Sequence, residues 1–289
     1  SISNVLASSG LENIMRWVPL DIDEGYLRNM IKNKMIRPTT IPYLLEELVL
    51  EQAIAIEALR LAFEQHKEFA SALKGTQRQR DISEAFSQST SGETLVNLMT
   101  LDLLVGSGGV LSHAPRRSQT MMLLINAFLP EGITRLAVDS IFMMPHLGVL
   151  SEISTKAATE VFHKDCMIYL GTCVAPVGKG KIGKPALTAK LELPDGTIWE
   201  EQIPFGEVHL IPCGVGEVAK GSLKTHGGLI LDANKSKELN VELKGGVVGI
   251  VLDTRGRQPF VLPTEKSERI ATLKKWLRAF NAYPDQILQ

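Results

Sequence analysis

Leu101-Asp102-Leu103-Leu104-Val105-Gly106-Ser107-Gly108-Gly109 decides the fold. Leu101–Val105 is a nearly continuous apolar run, the pattern of a strand covered on both faces. The glycines after it let the backbone take positive φ and let a ligand approach the main chain closely. Downstream, Arg116–Phe128 is apolar on most sides and long enough for a buried helix. Leu136-Ala137-Val138-Asp139, continued by Ile141-Phe142, supplies another strand. Strand, glycine turn, helix and strand make a βαβ unit, which implies a parallel pair and an α/β layer.

Working outward toward the N-terminus, Thr39-Thr40-Ile41-Pro42 reads as a helix start, with a threonine cap and proline in the first turn. Leu45, Leu48, Val49, Gln52, Ile56, Leu59 and Phe63 then recur at spacings of three and four, one stripe of a long amphipathic helix. Glu46, Glu47, Glu51, Glu57 and Arg60 are expected on its solvated face. The helix is expected to end near Lys74-Gly75, before a polar loop over Gln77–Ser91 and a short helix over Glu93–Met99. In the other direction the texture changes near Cys166. Short β-type runs follow as far as Leu262, with Pro194-Asp195-Gly196-Thr197 turning between Leu187–Leu193 and Ile198–Ile203. Val247–Leu252 reads as a core strand, and Ser267–Phe280 as a final amphipathic helix. The expected organisation is an α/β domain over residues 1–160 and a mostly-β domain with a C-terminal helix over 161–289.

Bulk composition narrows the function classes. The 289 residues are 44% hydrophobic and 22% charged, with a formal net charge of −1. That balance gives no electrostatic reason to expect nucleic acid or an anionic membrane as a partner. No apolar stretch approaches the ~20 residues that span a bilayer, and no secretory leader is evident. Three cysteines, Cys166, Cys173 and Cys213, are too few for a disulfide framework and fit a reducing, cytoplasmic setting. Because the chain opens on Ser1 with an element already under way, it is expected to be cut from a larger protein.

The glycine turn is the leading candidate site. A strand running through Gly106, Ser107, Gly108 and Gly109 into a helix presents amides and a positive dipole end, suited to a phosphate or the flat face of a nucleoside. It is neither a dinucleotide fingerprint nor a P-loop, since no Gly-Lys-Ser/Thr follows. An equally weighted reading makes the glycines purely structural. Ser112, His113 and Arg116 flank the turn, with Ser112 expected to cap the next helix and Arg116 and Arg117 to be solvated. His146, in Met143-Met144-Pro145-His146, follows the second strand, at the end where ligands of α/β layers sit. No metal site is expected, for there is no CxxC or HExxH, and the cysteines read as buried free thiols. Nothing resembles a GxSxG nucleophile motif, so no catalytic residue is assigned. The basic loop Gly178–Lys184 is either a surface loop or a phosphate contact.

Residues 101–115 resemble the accessory L component associated with glutamate (methylaspartate) mutase. Arg37-Pro38-Thr39-Thr40, Pro130-Glu131-Gly132-Ile133-Thr134, Pro145-His146-Leu147-Gly148 and Gly245-Gly246-Val247-Val248-Gly249 extend the likeness in the same order. The resemblance implies an actin-like ATPase, a superfamily in which two lobes close on ATP and the second supplies an adenosine motif of a strand running into a glycine pair. Gly106, Ser107, Gly108 and Gly109 match that motif. The implied task is to chaperone or reactivate a coenzyme-B12-dependent mutase, whose subunits would be the protein partners. The Asp-x-Gly-x-Thr phosphate loop of such proteins is absent from this sequence, so the chain resembles the second lobe. ATP or ADP is therefore expected to bind the chain alone weakly or not at all. Magnesium and any ATPase activity are expected to need the phosphate-binding lobe. The alternative is a non-catalytic interaction module.

Overall fold

The computed structural model describes residues 2–73, 96–257 and 260–285. The expected helix end near Lys74, the polar loop Gln77–Ser91 and the start of the short helix at Glu93 lie outside them. Strand β1 (Leu103–Gly106) pairs in parallel with β2 (Gly132–Asp139), as the βαβ reading requires. Between them run a single turn, α4 (Gly109–Ser112), and the helix α5 (Arg117–Phe128). Every residue of α5 from Gln119 to Ala127 is buried, as a helix apolar on most sides demands. β2 stops at Asp139, so Ile141 and Phe142 do not continue it. The Asp139 carboxylate accepts hydrogen bonds from the N–H groups of Ile141 (3.3 Å), Met143 (3.4 Å) and Met144 (3.2 Å), which turns the chain into α6 (Met144–Ile153).

Three helices precede this unit: α1 (Ile2–Met15), broken at Gly10, α2 (Glu24–Ile36) and α3 (Leu45–Leu73). The long helix begins at Leu45 rather than beside Thr39 and Thr40. Its start is set by Glu47, whose carboxylate accepts the N–H groups of Tyr43 (2.8 Å) and Leu44 (3.2 Å). Glu57 is a larger departure from the solvated face expected of it. Its side chain is fully buried and accepts from Ser9 Oγ (2.6 Å), Trp17 Nε1 (2.8 Å), Arg16 Nη2 (2.8 Å) and Arg60 Nη2 (2.8 Å). Helix α1 lies over this part of α3, so an acid that would be solvated on an isolated helix becomes the junction between two.

Beyond α7 (Thr155–Val161) the chain enters β3 (Met167–Ala175), β4 (Pro185–Glu192), β5 (Ile198–Pro204), β6 (Val208–Ile211), β7 (Val218–Thr225), β8 (Glu238–Lys244) and β9 (Gly249–Asp253). Helix α8 (Lys266–Ala279) follows. The strands form a mixed five-stranded sheet in the order β1-β2-β3-β9-β6 and an antiparallel four-stranded sheet in the order β5-β4-β7-β8. The β4–β5 hairpin forms where the Pro-Asp-Gly-Thr turn places it, with Gly196 at φ +82° and Asp195 accepting the Thr197 N–H at 2.9 Å. Adjacent residues of β3 and β9 serve different cores. Cys173 and Val251 face the helices, whereas Val174, Ile250 and Leu252 face the second sheet. The five-stranded sheet is thus the middle of three layers, and it runs across residue 160.

A charged cluster is buried where β9 ends. Asp253 accepts from Arg255 Nε (2.9 Å) and Nη2 (2.7 Å) and from Arg257 Nη2 (3.0 Å). Burial alone would raise its pKa, but the two guanidiniums outweigh it and hold the carboxyl well below the usual range. Arg257 also donates to the Pro130 carbonyl at 2.9 Å, and Arg255 lies 4.7 Å from the Trp276 ring of α8.

Glu57→Ala is expected to lower stability by about 3 kcal/mol, because it strands a buried serine, an indole N–H and two guanidiniums. Burial raises the pKa of Glu57, but its hydrogen bonds from Arg60, Ser9 and Trp17 prevail and leave it lowered. Its contribution is therefore full above the unfolded carboxyl pKa of about 4.3 and is lost as pH falls through the folded value. Urea unfolding of both proteins across that range checks this: their midpoints should differ at neutral pH and converge in acid.

Candidate functional site

The glycine turn forms one wall of a cleft of about 410 Å³. Ser107, Gly108 and Gly109 stand on that wall; Ala55, Ala58 and Leu59 of α3 stand opposite. Two alanines one turn apart on α3 keep that wall low. At one end of the cleft Lys34 of α2 pairs with Glu51 of α3 at 2.5 Å, both side chains largely sheltered. The cleft is mostly apolar with a few polar groups, the usual make-up of a small-molecule site.

The glycines divide by physical role. A Cβ at Gly106 would lie 2.9 Å from both Leu111 Cδ1 and Leu124 Cδ2, so close packing excludes a side chain there. Gly108 has φ +107°, a conformation L-residues rarely adopt. Neither constraint acts on Gly109, where a Cβ would meet nothing within 4 Å and φ is ordinary. Ser107 Oγ is shut off from solvent without a hydrogen-bond partner, which marks it as a polar atom awaiting one. The helix after the turn is one four-residue turn, shorter than the buried helix expected to follow directly, so its dipole adds little.

The flanking candidates fall elsewhere. Ser112 does not cap α5: it is buried at the end of α4 and donates to the Asp139 carbonyl at 2.7 Å, tying the turn to the end of β2. His113 is exposed just after it. Arg116 reaches away, donating to Asn281 Oδ1 (2.9 Å) and its carbonyl (3.1 Å), and Arg117 closes on the Ser112 carbonyl at 2.7 Å. His146 is exposed on α6. None of these side chains lines the cleft.

The three cysteines are buried free thiols. Burial pushes the pKa of Cys173 up to about 12 and raises those of Cys166 and Cys213, which leaves all three poorly nucleophilic. His163 meets the Tyr169 hydroxyl at 2.8 Å rather than Cys166. Among the described residues no group of histidines, cysteines and carboxylates could hold a metal ion, and no helix is long and apolar enough to cross a membrane. Loop 178–184 is exposed over most of its length and hydrogen-bonds to Phe205, away from the cleft.

Sequence reasoning finds the glycine wall but not its counterpart. Lys34 and Glu51 lie seventeen positions apart, on helices whose packing no local pattern announces. The available signal was the face Glu51, Ile54, Ala55, Ala58, spaced i, i+3, i+4, i+7 and ending in small residues.

Gly106→Ala is expected to cost about 1–3 kcal/mol through overpacking, and Gly108→Ala about 1 kcal/mol through backbone strain. Gly109→Ala should stay within about 0.5 kcal/mol of the parent. Thermal melts of the three variants test that order.

A family model described as MutL protein matches residues 1–166, which carry α1 to α7, the glycine turn, β1 and β2. No curated protein and no solved structure matches the chain. With more than half its length matched, the chain belongs to the MutL family, that of the glutamate mutase accessory L component.

Proposed function

We propose that the chain is the nucleoside-binding and partner-binding part of an ATP-dependent chaperone that reactivates a coenzyme-B12-dependent glutamate mutase. The family supports the association with the mutase. Support for a nucleotide comes from Gly109 together with Ser107. A glycine that neither packing nor backbone geometry requires stands beside a buried hydroxyl without a partner, both on the wall of one cleft. That combination fits a ligand passing close to the backbone.

In this reading the adenosine end of ATP or ADP lies between the glycine turn and α3, against Ala55 and Ala58, with the Ser107–Gly109 backbone and Lys34 as polar contacts. Phosphates and magnesium belong to the partner lobe of the actin-like type, whose phosphate loop this sequence lacks. Turnover of ATP is accordingly assigned to the two lobes together. This chain contributes recognition of the nucleoside and, through its surface, of the mutase.

The competing reading is an interaction module whose glycines serve the turn alone. Gly106 and Gly108 satisfy it, because packing and φ account for them. Gly109 does not.

Calorimetry of ADP with the intact protein and its Gly109→Val variant separates the two. The variant should keep its circular dichroism and melting temperature and lose at least about tenfold in affinity, the scale of one charge-assisted or two ordinary hydrogen bonds. Equal affinity in the two proteins, or no heat with either, would leave the structural reading standing.

A further inference from the structure

A second groove, about 500 Å³, adjoins the glycine cleft. It lies between α2 and α3 under the connecting residues Arg37–Leu44, and the two hollows share Lys34, Glu51 and Ile54. The Lys34–Glu51 pair is thus a partition between them. Lys34 makes a second contact: its ammonium donates to the Thr40 carbonyl.

Arg37–Leu44 is held at three places. The Arg37 N–H donates to the Asn33 carbonyl at 2.9 Å, and Glu47 accepts the N–H groups of Tyr43 and Leu44. The middle is tethered to α2 by Lys34 alone among the side-chain contacts described. This segment presents apolar side chains to solvent: Ile41 is 74% and Tyr43 90% exposed.

We infer that Lys34 couples occupancy of the glycine-turn cleft to the conformation of Arg37–Leu44. The inference rests on the nucleotide reading above and adds regulation to it. An ammonium has three N–H donors, and here Glu51 and Thr40 take two. A ligand in the cleft offers new acceptors to the same group, in surroundings drier than bulk water where such contacts strengthen. The third donor reaches the ligand only if the ammonium shifts into the cleft, and that shift, away from Thr40, frees the middle of the segment. Linkage makes the effect reciprocal: whatever holds Arg37–Leu44 down keeps Lys34 from the ligand. Glu51 is the competitor that sets the balance.

Hydrogen exchange of the Thr39, Thr40, Ile41, Tyr43 and Leu44 amides and calorimetry, both with ADP on the intact protein, test this. ADP should speed exchange of the segment about tenfold, the effect of losing one hydrogen bond to a charged group. Lys34→Met, which keeps the stem and removes the donors, should show that fast exchange without ADP and no further response to it. Glu51→Gln should bind ADP a few-fold more tightly, opposite in sign to Lys34→Met. A merely structural ion pair would weaken binding in both variants, and that result would overturn the inference. ADP binding that leaves the exchange of those amides unchanged would overturn the coupling while the nucleotide site stands. No ADP binding at all would remove both. Should Lys34→Met fail to fold, the sign of the Glu51→Gln effect and the exchange response of the parent still decide.

Discussion

The three layers meet at the carboxylate of Asp253. It bridges two guanidiniums in a part of the protein that water does not reach, and each guanidinium carries the connection further. Arg257 holds the Pro130 carbonyl just before β2, so the strand beside the glycine turn is anchored at its start. Arg255 lies among Trp276, Phe280 and Phe260, which fixes the last helix to the sheet. Thr254, between Asp253 and Arg255, donates to the Pro204 carbonyl at 2.7 Å and ties in the second sheet. Two cations around one anion leave a net charge in the interior, which aromatic faces and backbone carbonyls must stabilise. Such a cluster tolerates little displacement, and helices and both sheets are registered against it.

Much of the order of elements was legible because it is written in local patterns. The apolar run ending at Val105, the all-apolar α5, the Pro-Asp-Gly-Thr hairpin and the amphipathic α8 each carry their periodicity or turn chemistry in adjacent residues. Where the reading failed, a distant partner was responsible. Glu57 looked solvated because its stripe is polar in isolation; α1, some fifty positions earlier, buries it. Ser112 looked like a cap, but the neighbouring strand offered the Asp139 carbonyl. The candidate site divides in the same way. Its glycine wall is one contiguous motif, whereas its helical wall requires knowing how α2 and α3 pack.

The glycine turn also shows why a glycine motif alone is weak evidence of a ligand. The three glycines in four residues differ: contact with Leu124 constrains Gly106, backbone sign constrains Gly108, and neither acts on Gly109. Sequence treats them as equivalent. Only the third is left unexplained by the turn itself, and it is the least conspicuous of the set.

The family likeness stops at Cys166, one residue before β3 begins, but the sheet does not. β3 pairs with β2 along its whole length and sends alternate side chains into both cores. Ancestry and folding are therefore partitioned differently in this molecule. The matched N-terminal portion relies for one edge of its sheet on a strand outside the matched residues. A chain cut where the match ends would leave β2 with an unpaired edge, the kind of edge on which sheets aggregate.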